Sequence, residues 1–218
     1  MIKAVIYDLD DLMVNSIGLH EKAWRLLLKE YQADHGALPA DLRSSFVGRR
    51  IIDILQVIKD YFNLPATLED LYQKRTAIFL ALVREKLTPM PGLKASLDFF
   101  KDHDFKIALA TSAAKSYYQL VLEKFGLEKY FAVIVCGDDV KTGKPHPETY
   151  LVACQKLGLP PGDCVVLEDA TNGIAAANAA GCKCIAVRNP HTPPQDLGLA
   201  DIILDSLEQI NLALIAEL

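Results

Sequence analysis

The chain has 218 residues, of which 51% are hydrophobic and 23% are charged, and its formal net charge is -5. This length and apolar content allow a full hydrophobic core and a small second domain. A mildly acidic chain without a basic stripe among its aromatic residues is not typical of a nucleic-acid-binding protein. No apolar run is long enough to span a membrane, and the first residues resemble a strand rather than a signal peptide. We therefore expect no nucleic-acid partner and no membrane partner.

The cysteines indicate a reducing compartment. Five are present, mostly within apolar strand or helix patterns, and they are Cys136, Cys154, Cys164, Cys182 and Cys184. This placement is typical of core thiols. The one-residue spacing between Cys182 and Cys184 fits neither the redox motifs nor the zinc motifs that use two intervening residues. We expect free thiols and a cytoplasmic location.

The first predicted strand runs from Lys3 to Leu9 and carries two aspartates at its end, Asp8 and Asp10. Carboxylates at i and i+2 of a strand point to the same side. At the carboxyl end of a buried parallel strand, where open α/β sheets bind ligands, one acid can act as a nucleophile and the other as a proton donor. The alternative interpretation is an ordinary polar turn, in which Asp is frequent.

A long helix-rich segment, from about residue 16 to residue 89, separates this strand from the next one. It is far longer than a normal crossover connection, which predicts a separate cap domain. Thr67 to Asp70 offers a capping box for one of its helices, and Pro89 to Gly92 marks the return to the sheet.

Two further segments place polar groups after apolar runs. The strand 106–110 leads into Thr111 and Ser112, which open a helical pattern, and a helix N-terminus with hydroxyl groups suits an anion. An ordinary helix cap is the alternative. Lys144 lies on a stiff loop near a helix start at Pro147. A lone lysine there would usually be a solvated surface charge.

The last such segment is a buried-type strand, residues 164–167, that ends in two adjacent acids, Glu168 and Asp169. An Ala-rich helix follows after Thr171 to Gly173. Adjacent residues of a strand face opposite ways, but the backbone turns at a strand end, so both acids can reach one cation.

The strand-like runs alternate with helical segments along the whole chain, and they cover residues 3–9, 106–110, 132–136, 164–167, 184–187 and 201–204. This alternation predicts an α/β fold with a doubly wound parallel sheet. The insertion adds an all-helical cap domain to that sheet.

In their order and spacing, the four polar segments resemble the haloacid dehalogenase superfamily. The β-phosphoglucomutase-like and phosphoglycolate phosphatase-like branch is the most similar, since Leu19 to Trp24 and Phe46 to Arg49 also resemble its cap. The resemblance implies a Rossmann-like core of residues 1–15 and 90–218 and a helical cap of residues 16–89. Asp10 separates the chain from the dehalogenases themselves, which lack this second Asp and the metal.

The resemblance implies a mechanism with named roles. Asp8 is the nucleophile that forms an aspartyl phosphate, and Asp10 is the general acid and base. Lys144 and Thr111 complete the catalytic set by holding the phosphoryl oxygens, and Ser112 contributes to substrate binding. A carboxylate suits the first role because its acyl phosphate is itself reactive, so one difficult displacement becomes two easier ones.

The same resemblance implies a Mg²⁺ site formed by Asp8, the backbone carbonyl of Asp10, Glu168 and Asp169. Four carboxylates near an anionic substrate would repel it strongly in a cleft of low dielectric constant. A cation is therefore required, and oxygen ligands of this kind suit Mg²⁺.

Two positions depart from the family pattern, Asp11 where glycine is usual and Asn15 where aspartate is frequent. An extra carboxylate at Asp11 could weaken substrate binding or shift the pKa of Asp10. In the cap, the resemblance places His20 and Arg49 in substrate binding, and Arg50 is an alternative anion-binding arginine. A satisfied polar histidine and solvated arginines are the simpler interpretations.

We therefore expect a Mg²⁺-dependent phosphatase that hydrolyses a small phosphorylated metabolite such as a sugar phosphate. One alternative is a phosphomutase of the β-phosphoglucomutase type, which would return the phosphoryl group to a sugar before water intervenes. Another is a catalytically weak binding or regulatory protein, which only Asp11 suggests. The expected partner is a small phosphate ester, and the expected assembly is a monomer or a weak homodimer.

Overall fold

The computed structural model describes residues 1–218 and contains a six-stranded sheet. Its strands are β1 (Ala4–Tyr7), β2 (Lys106–Ala110), β3 (Val133–Val135), β4 (Cys164–Glu168), β5 (Lys183–Val187) and β6 (Ile202–Leu204). All neighbours are parallel, in the order β3-β2-β1-β4-β5-β6. All six predicted strands are present, and the predicted α/β fold with a parallel sheet is confirmed.

Strand β1 lies at the centre of the sheet, where Ile6 is in register with Ala108 of β2 and Val166 of β4. Because β2 lies on one side of β1 and β4 on the other, the strand order reverses here and opens a crevice at the carboxyl ends of the strands. The strand is shorter than the predicted run 3–9. Beyond Asp8 the chain folds into a tight turn, in which the Met13 amide donates to the Leu9 carbonyl at 3.0 Å.

The chain has nine α-helices. They are α1 (Ile17–Lys29), α2 (Ala40–Ser44), α3 (Ile51–Phe62), α4 (Leu68–Lys86), α5 (Leu93–Asp102), α6 (Lys115–Phe125), α7 (Glu148–Leu157), α8 (Thr171–Ala180) and α9 (Leu212–Ala216). Successive residues of β1 point to opposite faces. Val5 and Tyr7 join one hydrophobic core with α5 and α6, whereas Ala4 and Ile6 join another with α7 and α8. Burial on both faces explains why β1 is a continuous apolar run.

Helices α1 to α4 lie between β1 and α5 and build a third hydrophobic cluster of their own, which includes Trp24, Leu28, Leu55 and Leu71. The segments that enter and leave this insertion run side by side, since the Asn15 amide donates to the Thr88 carbonyl at 3.0 Å. None of the helices is both long enough and apolar enough to cross a membrane.

Helix α4 begins at the predicted capping box. The Thr67 hydroxyl accepts a hydrogen bond from the Asp70 amide at 3.1 Å and donates to the Asp70 carboxylate at 2.6 Å. The carboxylate thus pairs with the Thr67 hydroxyl instead of the Thr67 amide that a reciprocal capping box would use.

Candidate active site

The carboxyl ends of β1 and β4 hold an ammonium group between two carboxylates. Lys144 Nζ lies 2.5 Å from Asp8 Oδ1 and 2.6 Å from Glu168 Oε1, and none of the three side chains is more than 9% exposed. Water screens such buried charges very little. Burial lowers the pKa of Lys144, but the charges of Asp8 and Glu168 outweigh burial and raise this pKa above its ordinary value. Lys144 therefore remains a cation beside Asp8.

Asp8 has one free oxygen. Lys144 donates to Oδ1, whereas Oδ2 has no hydrogen-bond partner, and the residue lines the cavity described below. Burial raises the pKa of Asp8, the neighbouring ammonium opposes this shift, and the charge of Glu168 adds to it. The arrangement leaves a carboxylate oxygen that is able to attack an electrophile in the cavity.

The Glu168 carboxylate receives four hydrogen bonds. Oε1 accepts from Lys144 at 2.6 Å and from the Tyr150 hydroxyl at 2.7 Å. Oε2 accepts from the backbone amides of Asp169 at 2.9 Å and Ala170 at 3.1 Å. Charge-assisted hydrogen bonds are the strong ones, so Glu168 is fixed in place and fixes Lys144 in turn.

Gly173, in the first turn of α8, makes room for Glu168. A Cβ atom added at Gly173 would lie 1.7 Å from Glu168 Oε1, which is inside any permitted contact. The glycine that follows the predicted acidic pair is therefore required by the close approach of this carboxylate.

Asp8, Glu168 and Asp169 each place one carboxylate oxygen within 4.8 Å of the other two. Asp169 Oδ2 is buried and has no hydrogen-bond partner. Burial, and then the charge of Glu168, raises the pKa of Asp169 well above its ordinary value. An unpartnered buried oxygen is costly unless a proton or a cation satisfies it. The cluster thus fits a divalent cation, with Asp8 and Asp169 as the available ligands and with Glu168 already engaged.

Asp10 lies at the same edge of the sheet and has two partners on one oxygen. Asp10 Oδ1 accepts from the Tyr117 hydroxyl at 2.8 Å and lies 3.3 Å from His20 Nε2. Burial raises the pKa of Asp10, but the hydrogen bond from His20 and its charge outweigh burial and hold this pKa below its ordinary value. His20 in turn contacts the buried guanidinium group of Arg75 and stacks on Phe79.

Asp11 is tied to helix α1. Its φ is +63°, a left-handed conformation that Asp tolerates better than most residues. Its Oδ1 accepts hydrogen bonds from the amides of Ser16 and Ile17, each at 2.9 Å. Burial, and then the charge of Asp10, raises the pKa of Asp11 to about 7. The residue in the usual glycine position therefore holds the start of α1.

The loop after β2 holds both predicted hydroxyl groups beside the cavity. Thr111 is buried, and its hydroxyl accepts from the Ala113 amide at 3.0 Å. Ser112 donates to the Gly48 carbonyl of the insertion at 2.8 Å. Helix α6 begins only at Lys115, so the predicted helix start directly at Thr111 and Ser112 is wrong. The intervening loop is held by its own hydrogen bonds.

A cavity of about 400 Å³ separates the sheet edge from the inserted helices. Asp8, Asp10 and Asp169 line it from the sheet, and His20 and Arg49 line it from the insertion, together with Trp24. Arg50 is not part of its wall. The Arg50 guanidinium pairs with Asp53 at 2.8 Å and 2.9 Å and reaches the Val140 carbonyl at 3.3 Å. Of the two arginines, Arg49 is the one at the cavity.

Sequence reasoning missed three residues that contact the predicted set, namely Arg75, Tyr117 and Tyr150. Tyr117 and Tyr150 lie in helical apolar patterns, where an aromatic residue is usually core. Arg75 lies within α4 among other charged residues. Their partners are far away in sequence, as the separation of 107 residues between Tyr117 and Asp10 illustrates. No local pattern in the chain reveals such contacts.

The fold and the site define an α/β protein with an acidic ligand crevice at the switch point of its sheet. Residues 5–187 match the model of the haloacid dehalogenase-like hydrolases, and the chain belongs to that family. A phosphorylated carbohydrates phosphatase of Thermotoga maritima is 32% identical over 83% of this chain and 82% of its own length. Hexitol phosphatase A of Escherichia coli is 33% identical over 95% of this chain and 93% of its own length.

A solved structure has the same fold throughout. The β-phosphoglucomutase of Clostridium difficile superposes with a TM-score of 0.86 at 27% identity and covers 100% of this chain and 96% of its own. These comparisons confirm the predicted family, the fold class and the assignment as an enzyme, a hydrolase whose named relatives include phosphatases.

Proposed function

We propose that this enzyme is a Mg²⁺-dependent phosphatase that hydrolyses a small phosphorylated metabolite, such as a sugar phosphate, through an aspartyl phosphate on Asp8. The observation that carries the proposal is the 2.5 Å contact between Lys144 Nζ and Asp8 Oδ1, which leaves Oδ2 unpaired at the cavity. The two phosphatase relatives support the substrate class.

The chemistry follows from the two aspartates. Asp8 Oδ2 attacks phosphorus. Asp10, whose pKa lies below its ordinary value, first takes up a proton from solvent and then gives it to the leaving oxygen. Asp10 then takes a proton from a water molecule that attacks the phosphorus, and the Asp8 carboxylate is released. Lys144 offsets negative charge on the phosphoryl group, and Thr111 and Ser112 lie beside it at the cavity.

The ion would be held by Asp169 Oδ2, the backbone carbonyl of Asp10 and Asp8 Oδ1, so Asp8 Oδ2 stays available for the attack on phosphorus. Glu168 would support this set through Lys144. Two carboxylates with several remaining positions for water and phosphate suit Mg²⁺. When bound, the ion would offset the charges of the substrate and the carboxylates. The unpartnered Asp169 Oδ2 supports this assignment.

We assign residues 16–89 to a cap that selects the substrate and residues 1–15 and 90–218 to the catalytic core. The separate hydrophobic cluster of the inserted helices supports this division. His20 and Arg49 line the cavity from the cap, which supports contacts of both with the leaving group. An arginine there suits a second anionic or polar group of the substrate.

The test is a screen of purified enzyme with Mg²⁺ against a panel of phosphomonoesters, with Asp8→Asn as the control. We expect the wild type to release phosphate from a subset of sugar phosphates and the variant to release none. Failure of the wild type on the whole panel would refute the proposal. Stable binding of beryllium fluoride without any turnover would instead favour a binding or regulatory protein.

A phosphomutase is the second candidate, because the β-phosphoglucomutase fold covers the whole chain. In the same screen, β-glucose 1-phosphate distinguishes the two reactions. A mutase would convert it to glucose 6-phosphate, given a bisphosphate to prime Asp8. A phosphatase would yield free phosphate and glucose.

We also propose that the enzyme acts in the cytoplasm as a monomer or a weak homodimer. All five thiols are free and buried, which suits a reducing compartment. Sedimentation of the purified enzyme at several concentrations tests the assembly.

A further inference from the structure

The phenol of Tyr117 reaches the side chain that the proposed reaction uses for proton transfer. The Tyr117 hydroxyl lies 2.8 Å from Asp10 Oδ1, and Tyr117 is only 4% exposed. His20 Nε2 lies near the same oxygen at 3.3 Å. Both partners of Asp10 are on Oδ1, so Oδ2 has no hydrogen-bond partner. The residue lines the cavity. One oxygen of this carboxylate is thus held and the other is available.

The Tyr117 ring is itself held in one orientation. Phe79 of α4 packs against it edge to face with the ring centroids 4.8 Å apart, and the His20 ring meets it at 6.3 Å and 88°. Both neighbours come from the inserted helices, whereas Tyr117 lies in the first turn of α6. The hydroxyl therefore has a fixed direction, because a tyrosine side chain has few rotatable bonds and the Phe79 and His20 rings pack against this one.

We propose that Tyr117 is a positioning residue for Asp10, which fixes Oδ1 and so presents Oδ2 to the oxygen of the leaving group. The inference rests on the proposed phosphatase function. In the step concerned, the bond from Asp8 Oδ2 to phosphorus forms and the bond from phosphorus to the leaving oxygen breaks. The leaving oxygen takes that electron pair and the proton of Asp10 Oδ2. Tyr117 keeps its own proton throughout.

This role predicts a dependence on the leaving group. An alcohol is a poor leaving group and needs the proton as the bond breaks, whereas p-nitrophenolate leaves as a stable anion. Misplacing Asp10 therefore slows the hydrolysis of an alkyl phosphate much more than that of p-nitrophenyl phosphate. A residue that merely supports the fold would affect both esters equally.

The experiment measures kcat/KM of Tyr117→Phe for both esters, with the alkyl ester taken from the wild-type screen. General acid catalysis contributes about 10²–10⁴-fold, so we expect a loss of about tenfold or more for the alkyl ester and less than about threefold for p-nitrophenyl phosphate. Tyr118→Phe is the matched control, because Tyr118 is the next residue of α6 and its hydroxyl makes no hydrogen bond to Asp10. This control should leave both values unchanged.

The ratio of the two kcat/KM values does not depend on the folded fraction of the variant, so partial unfolding does not affect the result. Equal losses for both esters, or no loss for either, would overturn the inference while the phosphatase function stands. A second measurement uses an Asp10→Ala background, in which Tyr117→Phe should have no further effect on p-nitrophenyl phosphate. A further loss there would also overturn it. A wild type inactive on both esters would instead refute the proposed function itself.

Discussion

At the scale of single residues, Asp11 combines a strained backbone with a capping side chain. Its positive φ disfavours residues other than Gly, Asn and Asp, and its carboxylate satisfies two amides at the start of α1. The carboxylate is thus engaged with the protein and is not a free charge beside the substrate. This geometry explains how the chain accommodates an acid where the family usually has glycine.

Replacement of Asp11 separates these two roles. Asp11→Ala loses both hydrogen bonds and keeps the unfavourable φ, so we expect it to lower the free energy of unfolding by about 1–3 kcal/mol. Asp11→Asn keeps an acceptor and tolerates this backbone, so its loss should be under about 1 kcal/mol. Urea unfolding measures both. Equal stabilities of the two variants would contradict the capping role.

The raised pKa of Asp11 also predicts that the stability of the folded enzyme depends on pH. The pKa of Asp11 is raised to about 7 in the folded enzyme from an ordinary value of 3.8, chiefly by burial. The folded chain then binds more protons than the unfolded chain between these pH values, so the contribution of Asp11 to stability falls as the pH rises through this window. Asp11→Asn removes the effect. Its stability relative to the metal-free wild type should therefore increase from about pH 5 to about pH 8, and a constant difference would contradict the shift.

Gly173 offers a second test at this scale. In Gly173→Ala, the new Cβ would collide with Glu168, so that carboxylate or α8 must move. We expect a loss of about 1–3 kcal/mol in unfolding free energy, as for other overpacked sites, and a loss of most activity as Lys144 shifts. Gly18→Ala is the matched control, because nothing outside its chain neighbours and the backbone of its own helix lies within 4 Å of the position of its Cβ. Full activity of Gly173→Ala would show that the Glu168 position is unimportant.

At the scale of elements, two parallel strands and two loops assemble the site. Strands β1 and β4 are in register from Ala4 with Cys164 to Tyr7 with Leu167, so Asp8 and Glu168 emerge side by side. The apolar runs and terminal acids of both strands were readable in the sequence because a buried strand leaves a local pattern. No pattern in the sequence predicts that Tyr117 contacts Asp10 or that Tyr150 contacts Glu168. Their ring packing is typical of any core, and only the approach of distant helices gives their hydroxyl groups a role.

A contact between elements holds the insertion over the cavity. The Asn172 side chain in α8 donates to the Val47 carbonyl at 2.7 Å and to the Ser45 carbonyl at 3.2 Å. In Asn172→Ala, we expect KM to rise about threefold to tenfold, since one hydrogen bond of this kind contributes about 0.5–1.5 kcal/mol. Asn178→Ala, on the same helix but bonded to Leu199, is the control. An unchanged KM in Asn172→Ala would show that this contact does not hold the substrate-bound arrangement.

At the scale of the whole molecule, the mild net charge of -5 conceals a concentrated negative site. Asp8, Glu168 and Asp169 cluster within 4.8 Å, and Lys144 is the cation that lies among them. Mutual repulsion of these carboxylates destabilises the folded chain, and a bound cation would relieve it. Binding of Mg²⁺ at this site should therefore stabilise the folded chain.

Thermal unfolding with and without Mg²⁺ tests this coupling. A ligand that binds only the folded state stabilises it by about 2.7 kcal/mol at a hundredfold excess over its Kd, so Mg²⁺ should raise the Tm and EDTA should reverse the change. Asp169→Asn should abolish the response. Asp60→Asn, which alters an exposed carboxylate that accepts from Gln56, should retain it. The same Mg²⁺ response in Asp169→Asn would place the ion elsewhere.

In the proposed mechanism, Asp8 carries the phosphoryl group during turnover. The most direct measurement mixes enzyme, Mg²⁺ and a good substrate, stops the reaction within one turnover, reduces the mixture with borohydride and maps the modified peptide by mass spectrometry. Reduction converts an aspartyl phosphate to homoserine. We predict homoserine at position 8 in the wild type and none in an enzyme sample without substrate. Phosphate release that proceeds at full rate with Asp8 unmodified, or in Asp8→Asn, would show that the reaction does not pass through an aspartyl phosphate on Asp8.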